Sequence, residues 1–329
     1  MIDQKFQNID GIFSISSEGE FEKIAIEIFN FQYLNNNVYK QYCDYLSIQP
    51  NEIRQVSEIP FLPISFFKTH SVSCGDVLTS EKEFMSSGTT GMVTSSHYVK
   101  DIKIYEQSFI KGFEHFYGKI DDYIVLGLLP SYLEREGSSL IYMVDKLIEL
   151  SNHSQSGFFL DDYDTLLKVI AEYKSSKKII LLGVSYALLD LVERYNPDLS
   201  SCIIMETGGM KGKRKEIPKS ELHAILKKGL NVNEIHSEYG MTELLSQGYA
   251  LSDGKFEIPK WMKVLTREYN DPFSYTTKKS GGLNIIDLAN VYSCSFIATQ
   301  DLGKVFSNHF EVLGRFDNSD IRGCNLLVQ

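Results

Sequence analysis

The sequence predicts an α/β protein: a largely parallel sheet with flanking helices, closed by a smaller β-rich subdomain. Three observations carry this. Short apolar runs at 123–129, 178–183 and 202–206 alternate with longer segments of helical periodicity, the pattern of buried parallel strands joined by crossover helices. From about Ser280 the helical segments give way to short strand-like runs. Of the 329 residues, 43% are hydrophobic and 12% aromatic, enough to fill a large core and too many for a disordered chain.

In chain order, Ser17 followed by Glu20 makes a capping box, and Phe21, Ile24, Ile28, Phe29 and Phe31 give the apolar stripe of a helix. Asn35-Asn36-Asn37 ends it, and a second helix is expected over 38–46. The prolines of Ile59-Pro60-Phe61-Leu62-Pro63-Ile64 force an extended segment. Strand 123–129, helices 139–150 and 162–174, strand 178–183 and helix 186–195 follow. Next come strand 202–206, helix 218–228 with Pro218 in its first turn, and strand 232–236. The last region reads as strands 283–288, 295–299 and 304–306. The domain boundaries expected from this pattern are 1–58 (N-terminal helical region), 59–279 (α/β core) and 280–329 (β-rich subdomain and tail).

The formal net charge is −10, which argues against a protein that holds nucleic acid by neutralising its phosphates. The N-terminus lacks a basic region followed by an apolar stretch, and the apolar runs are far too short to span a bilayer. Cys43, Cys74, Cys202, Cys294 and Cys324 show no paired spacing and are odd in number, so a reducing, cytoplasmic location is expected. Cys202 and Cys294 are expected in strands as buried thiols. No two histidines stand at i,i+4, so no zinc site is expected.

Turns after the central strands are unusual in composition: Gly183-Val184-Ser185, Thr207-Gly208-Gly209, and Ser237 through Glu243. Open α/β sheets bind ligands beyond the carboxyl ends of their strands, so these turns point to a site there. Four motifs could serve it. Ser86-Ser87-Gly88-Thr89-Thr90-Gly91 leaves backbone N–H groups and four hydroxyls free to donate to phosphate oxygens. Its ordinary reading is a polar turn, and no Gly-Lys-Ser/Thr follows to make it a Walker loop. Tyr239-Gly240-Met241-Thr242-Glu243 joins a ring that can stack on a base, a hydroxyl that can reach a phosphate, and a carboxylate that can hold Mg²⁺. The alternative is a strand-to-helix turn with a surface glutamate. Thr299-Gln300-Asp301-Leu302-Gly303 reads as an acidic turn able to bind ribose hydroxyls, or simply as a turn. Gly314-Arg315-Phe316-Asp317, followed by Asp320-Ile321-Arg322-Gly323, offers Arg315 to phosphate or ribose, or a solvated surface pair.

The order and spacing of these motifs resemble the adenylate-forming superfamily, which includes acyl- and aryl-CoA synthetases, peptide-synthetase adenylation domains and firefly luciferase. The resemblance spans roughly 59–317. It implies the large N-terminal domain of such an enzyme, with ATP and Mg²⁺ as cofactors. By position, Ser86 to Gly91 would hold the pyrophosphate end of ATP, and Gly208-Gly209 would lay backbone against adenine. Tyr239 would stack on adenine, Thr242 would touch the α-phosphate, and Glu243 would bind Mg²⁺ as a surface-facing ligand. Asp301 would hold the ribose with Arg315 beside it, and Asp317 would mark the hinge. Departures are the first lysine after the phosphate loop, delayed to Lys100, and Thr299-Gln300-Asp301 in place of Thr-Gly-Asp. The chain also stops soon after Asp317, without the mobile C-terminal domain and its catalytic lysine.

A narrower resemblance joins this short chain, the segment from Ile59 through Lys68, and Arg322-Gly323-Cys324-Asn325 to the LuxE-type acyl-protein synthetases, with phenylacetate-CoA ligases next nearest. It implies that Cys324 takes the acyl group as a thioester and passes it to an acyl reductase-like partner. The expected substrate is a carboxylic acid of the fatty class, with Tyr132, Val184 and Tyr186 as candidate pocket residues and a homodimer as the candidate assembly. Two other readings stay open: an acyl- or aryl-CoA ligase completed by a partner chain, and a nucleotide-binding module without catalysis.

Overall fold

The computed structural model describes residues 5–86, 94–129, 137–210, 214–215, 217–268 and 280–315. In chain order the strands are β1 (Leu62–Pro63), β2 (Lys82–Met85), β3 (Ser96–Val99), β4 (Tyr123–Leu128), β5 (Gly157–Phe158), β6 (Lys178–Val184), β7 (Cys202–Thr207), β8 (His236–Tyr239), β9 (Gly248–Ala250), β10 (Phe256–Glu257), β11 (Met262–Arg267), β12 (Ser280–Asp287), β13 (Phe296–Val305) and β14 (Phe310–Arg315). The α-helices are α1 (Ile9–Ile12), α2 (Glu18–Asn35), α3 (Asn37–Tyr45), α4 (Phe66–Thr69), α5 (Ile102–Tyr117), α6 (Ser139–Ser151), α7 (Tyr163–Tyr173), α8 (Ser185–Tyr195) and α9 (Lys219–Leu230). They fall into two compact units interleaved along the chain. The first draws on Met1–Glu83, Ser95–Ile104 and Lys260–Gln329, the second on Phe84–Thr94 and Tyr105–Pro259.

In the first unit β11, β12, β13 and β14 pair antiparallel in that order. The extended segment demanded by Pro60 and Pro63 supplies β1, parallel to β13. Helix α2 starts where the capping box places it: Ser17 Oγ accepts the Glu20 N–H at 3.3 Å, while the Glu20 carboxylate accepts the Ser16 N–H at 2.8 Å. The asparagine run then starts a second helix as well as ending the first. Asn36 Oδ1 accepts from the Val38 and Tyr39 N–H groups at the head of α3, and its Nδ2 donates to the Ser293 carbonyl. Gln32, fully buried in α2, donates to the Asn290 and Val291 carbonyls and accepts the Ser295 N–H, each at 3.0 Å. These bonds satisfy a buried amide and tie the N-terminal helix to the strands near the other end of the chain.

In the second unit β5, β4, β6, β7 and β8 lie side by side and parallel, and β9 and β10 add antiparallel strands beyond β8. The crossovers run through α6, α7, α8 and α9. Three of these helices stop on asparagines in the left-handed conformation, Asn152, Asn196 and Asn231, the residue type other than glycine that tolerates it best. The expected α/β fold of mixed and parallel strands with flanking helices is borne out. No helix among the described residues is long and apolar enough to cross a membrane.

Four local expectations are corrected. The strand expected at 232–236 runs instead over His236–Tyr239; Val232 and Ile235 are buried connector residues. The runs at 295–299 and 304–306 belong to one strand, β13, whose register shifts at Leu302/Gly303. Cys294 lies just before that strand, buried as expected. Pro218 caps α9 from outside rather than sitting in its first turn.

Candidate active site

In the second unit the predicted turns gather at the carboxyl ends of β6, β7 and β8. Register pairing sets Gly183, Glu206 and Ser237 side by side on one face, and Val184, Thr207 and Glu238 on the other. Alternation along each strand produces this split. Gly208 ends β7 at φ +66°, a left-handed conformation that glycine adopts without penalty, and both Gly208 and Gly209 are exposed.

Glu206 was not foreseen as a site residue, and it is the electrostatic centre of the first face. It is 1% exposed, its Oε1 accepts from Lys219 Nζ, and His223 Nε2 stands 3.5 Å from the same oxygen. Lys219 and His223 are one turn apart on α9 and so reach the same point. Ser185 Oγ, at the head of α8, lies 3.2 Å from Glu206 Oε2 and 2.9 Å from the Gly208 carbonyl. The carboxylate is thereby linked to the backbone of the Gly208-Gly209 turn. Burial alone would raise the Glu206 carboxyl. The Lys219 charge and hydrogen bonds from His223, Lys219 and Ser237 prevail and pull it down to about 2.

A carboxyl held below its ordinary value of 4.5 stabilises the fold above that value and loses the contribution as pH falls toward about 2. Glu206→Gln is therefore expected to cost about 1.5–3 kcal/mol at pH 7, the scale of charged hydrogen bonds lost at a buried carboxylate, since Lys219 itself stays partly exposed. The gap to wild type should close as pH drops from about 4.5 toward 2. Urea unfolding of both proteins across that range checks it, and a gap independent of pH would contradict the ion-pair assignment.

On the other face Thr207 Oγ1 donates to Glu238 Oε2. The Tyr239–Glu243 segment then leaves the sheet. A Cβ on Gly240 would meet Glu238 Oε1, so that carboxylate would have to shift to admit one. Tyr239 is 9% exposed, with its ring 5.7 Å from that of Phe256. Met241 and Thr242 are half-buried. Glu243 is only 6% exposed, which corrects the expectation of a surface-facing carboxylate. Of the candidate pocket residues, Val184 and Tyr186 are buried at the β6–α8 junction.

In the first unit Asp301 lies within β13 and not in a turn, opposite Arg315 of β14. The bulge that lets Gly303 face Val312 while Leu302 faces Gly314 explains why the sequence looked turn-like. Asp301 is 5% exposed and accepts from Arg315 Nε at 3.2 Å. Arg267, also missed, is buried next to it. Its guanidinium donates to the carbonyls of Leu283 and Thr299 at 2.7 and 2.5 Å and to Asn284 Oδ1 at 3.0 Å. Burial lowers its pKa to about 10 against the opposing pull of Asp301. The guanidinium lies across Gly282, where a Cβ would come within 2.7 Å of Cζ.

Ser86, the first residue of the phosphate-loop motif, ends a described stretch. Ser87, Gly88, Thr89, Thr90, Gly91, Tyr132, Asp317, Asp320 and Cys324 lie outside the described residues. Among the described residues no group of three or more His, Cys, Asp or Glu side chains is placed to hold a metal ion. Such a cluster is not needed for Mg²⁺, which commonly takes one or two protein carboxylates and completes its shell with substrate phosphates and water, so Glu243 stays the candidate.

The family model for acyl-protein synthetase, LuxE, matches residues 13–329. The chain belongs to that family. Two long-chain-fatty-acid–luciferin-component ligases are similar to this LuxE-family chain. That of Aliivibrio fischeri is 24% identical over 308 residues, covering 86% of this chain and 79% of the relative. That of Vibrio harveyi is 23% identical over 324 residues, covering 91% and 84%. The solved open conformation of 2-hydroxyisobutyryl-CoA ligase with 2-HIB-AMP and CoA shares the fold, with TM-score 0.70, 10% identity, and 92% of this chain and 70% of that one covered. ATP-bound MatB from Rhodopseudomonas palustris gives TM-score 0.52 at 15% identity, covering 71% and 47%. The chain is thus a ligase of the acyl-protein synthetase type with the fold of the 2-hydroxyisobutyryl-CoA ligase.

Proposed function

We propose that the chain uses ATP and Mg²⁺ to convert a carboxylic acid of the fatty class into an acyl-adenylate, and then transfers the acyl group to Cys324 as a thioester. Family membership across 13–329 carries the reading, and the ligases named above support the acid's class. In the first step a substrate carboxylate oxygen attacks the α-phosphorus and the bond to pyrophosphate breaks. Both reactants are anions, so the protein's work is to position them and offset charge. Ser86 through Gly91 donate to the departing phosphates, Thr242 to the α-phosphate, and Asp301 accepts from the ribose hydroxyls. The exposed Gly208-Gly209 backbone, with Met241 and Tyr239 nearby in sequence or strand order, faces the base. Mg²⁺, held through Glu243, supplies charge neutralisation when bound. In the second step a thiolate attacks the acyl carbon and AMP leaves.

An acyl reductase-like protein is the proposed recipient, and the cytoplasm the proposed compartment, in keeping with free thiols at Cys43, Cys74, Cys202 and Cys294. ATP–pyrophosphate exchange over a panel of carboxylic acids tests the first step; exchange with none of them would refute it. ATP binding should weaken strongly in Asp301→Ala, since two hydrogen bonds to a charged acceptor are worth roughly 1.5–3 kcal/mol each. Calorimetry showing unchanged affinity would remove Asp301 from the site.

A further inference from the structure

We propose that the acid this enzyme activates carries a hydrogen-bond donor on its chain, a hydroxyl or an amine, received by Glu238, Gln247 and Tyr249 on the α5 side of the second unit's sheet. This rests on the adenylating function proposed above and narrows its substrate. Antiparallel pairing of β8 with β9 sets Glu238 directly opposite Tyr249, and parallel pairing sets Thr207 on its other side. Gln247 comes two residues before Tyr249 and so projects to the same face. A Cβ on Gly240 would strike Glu238 Oε1 and lie 3.5 Å from Gln247 Cγ, so these two side chains border one space.

Glu238, Gln247 and Tyr249 are 7%, 5% and 1% exposed. Gln247 Oε1 and the Tyr249 hydroxyl are buried without a hydrogen-bond partner among the described residues. Each such orphan forfeits its hydration without compensation, and native interiors carry few of them. Two orphans beside a buried carboxylate make a set rich in acceptors. The surrounding walls are aromatic: the Phe116 and Tyr117 rings lie 5.3 and 5.6 Å from that of Tyr249. The three residues also flank the 240–247 loop that carries Thr242 and Glu243. An unsubstituted alkyl chain packed here would leave Gln247 Oε1 and the Tyr249 hydroxyl dry and unpaired beside the Glu238 carboxylate. A hydroxyl or ammonium would satisfy them. Sites built this way discriminate strongly against the analogue lacking the polar group.

The test measures exchange with straight-chain acids of matched length, unsubstituted, hydroxylated or aminated. Wild type should use a substituted acid at least about tenfold more efficiently in kcat/KM than its parent, the ratio that about 1.4 kcal/mol of differential binding gives. Tyr249→Phe and Gln247→Leu should each pull that ratio toward one with the KM for ATP unchanged. Tyr249→Phe should not lower the unfolding free energy, because no hydrogen bond is lost in the free protein. Glu238→Gln separates the sources of the donor: it removes a preference for the amine and spares one for the hydroxyl. Equal use of unsubstituted acids, or a ratio unmoved by Tyr249→Phe, overturns this inference and leaves adenylation standing. Exchange with no acid at all overturns both.

Discussion

Glu243→Gln is expected to lower ATP–pyrophosphate exchange by at least about a hundredfold, equivalent to about 2.7 kcal/mol in the barrier, while the protein stays folded. Glutamine keeps the shape of the side chain and removes only its charge. Shape matters because Glu243 is 6% exposed; an alanine would leave a gap and confound the reading. Burial also strengthens the effect, since a carboxylate away from bulk water attracts a divalent cation more strongly than one on the surface. The loss should appear at every Mg²⁺ concentration that saturates the wild type, and thermal unfolding of the variant should match within a few degrees. Full exchange in a folded variant would place the metal elsewhere.

Glu243 shows how far the sequence could be read. Its identity as a candidate came from the Tyr-Gly-Met-Thr-Glu string, but its burial was invisible there. The central crossovers were legible because β4, β6 and β7 are dominated by apolar residues, as expected of strands covered on both faces. Strand β8 was misplaced for the opposite reason. His236, Ser237, Glu238 and Tyr239 all bear polar groups, so the strand lacks the apolar signal used to find strands. Glu206 carried a signal that went unused: a charged residue inside an otherwise apolar strand, immediately before Thr207-Gly208-Gly209. Its partners Lys219 and His223 could not be found from the sequence, because their helix joins the strand only through the fold. Asp301, a candidate from its motif, was assigned to the wrong element, since a strand with Gly303 opposite a bulge reads locally like a turn.

Cys324→Ser is expected to abolish stable acylation of the protein while leaving adenylation intact, because the first step does not need the thiol. Incubation with ATP, Mg²⁺ and a competent acid should add an acyl mass to the wild-type chain, and neutral hydroxylamine should remove it. The variant should show exchange at the wild-type rate and no hydroxylamine-labile mass. Cys324 follows Arg322 and Gly323, and a neighbouring cation lowers a thiol's pKa and enriches the nucleophilic thiolate near neutral pH. The other cysteines are poor substitutes. Burial raises the thiols of Cys74, Cys202 and Cys294, and pushes that of Cys43 up to about 12. At pH 7 such groups are protonated, and Cys43, Cys74 and Cys294 are also buried, whereas Cys202 is half-buried rather than buried as expected. Selective loss of the labile mass in Cys324→Ser therefore identifies the acceptor, with retained exchange separating acyl capture from activation. Acylation that persists unchanged would overturn the assignment. A thioester that forms only when CoA is supplied would make the free thiol of CoA the acceptor instead.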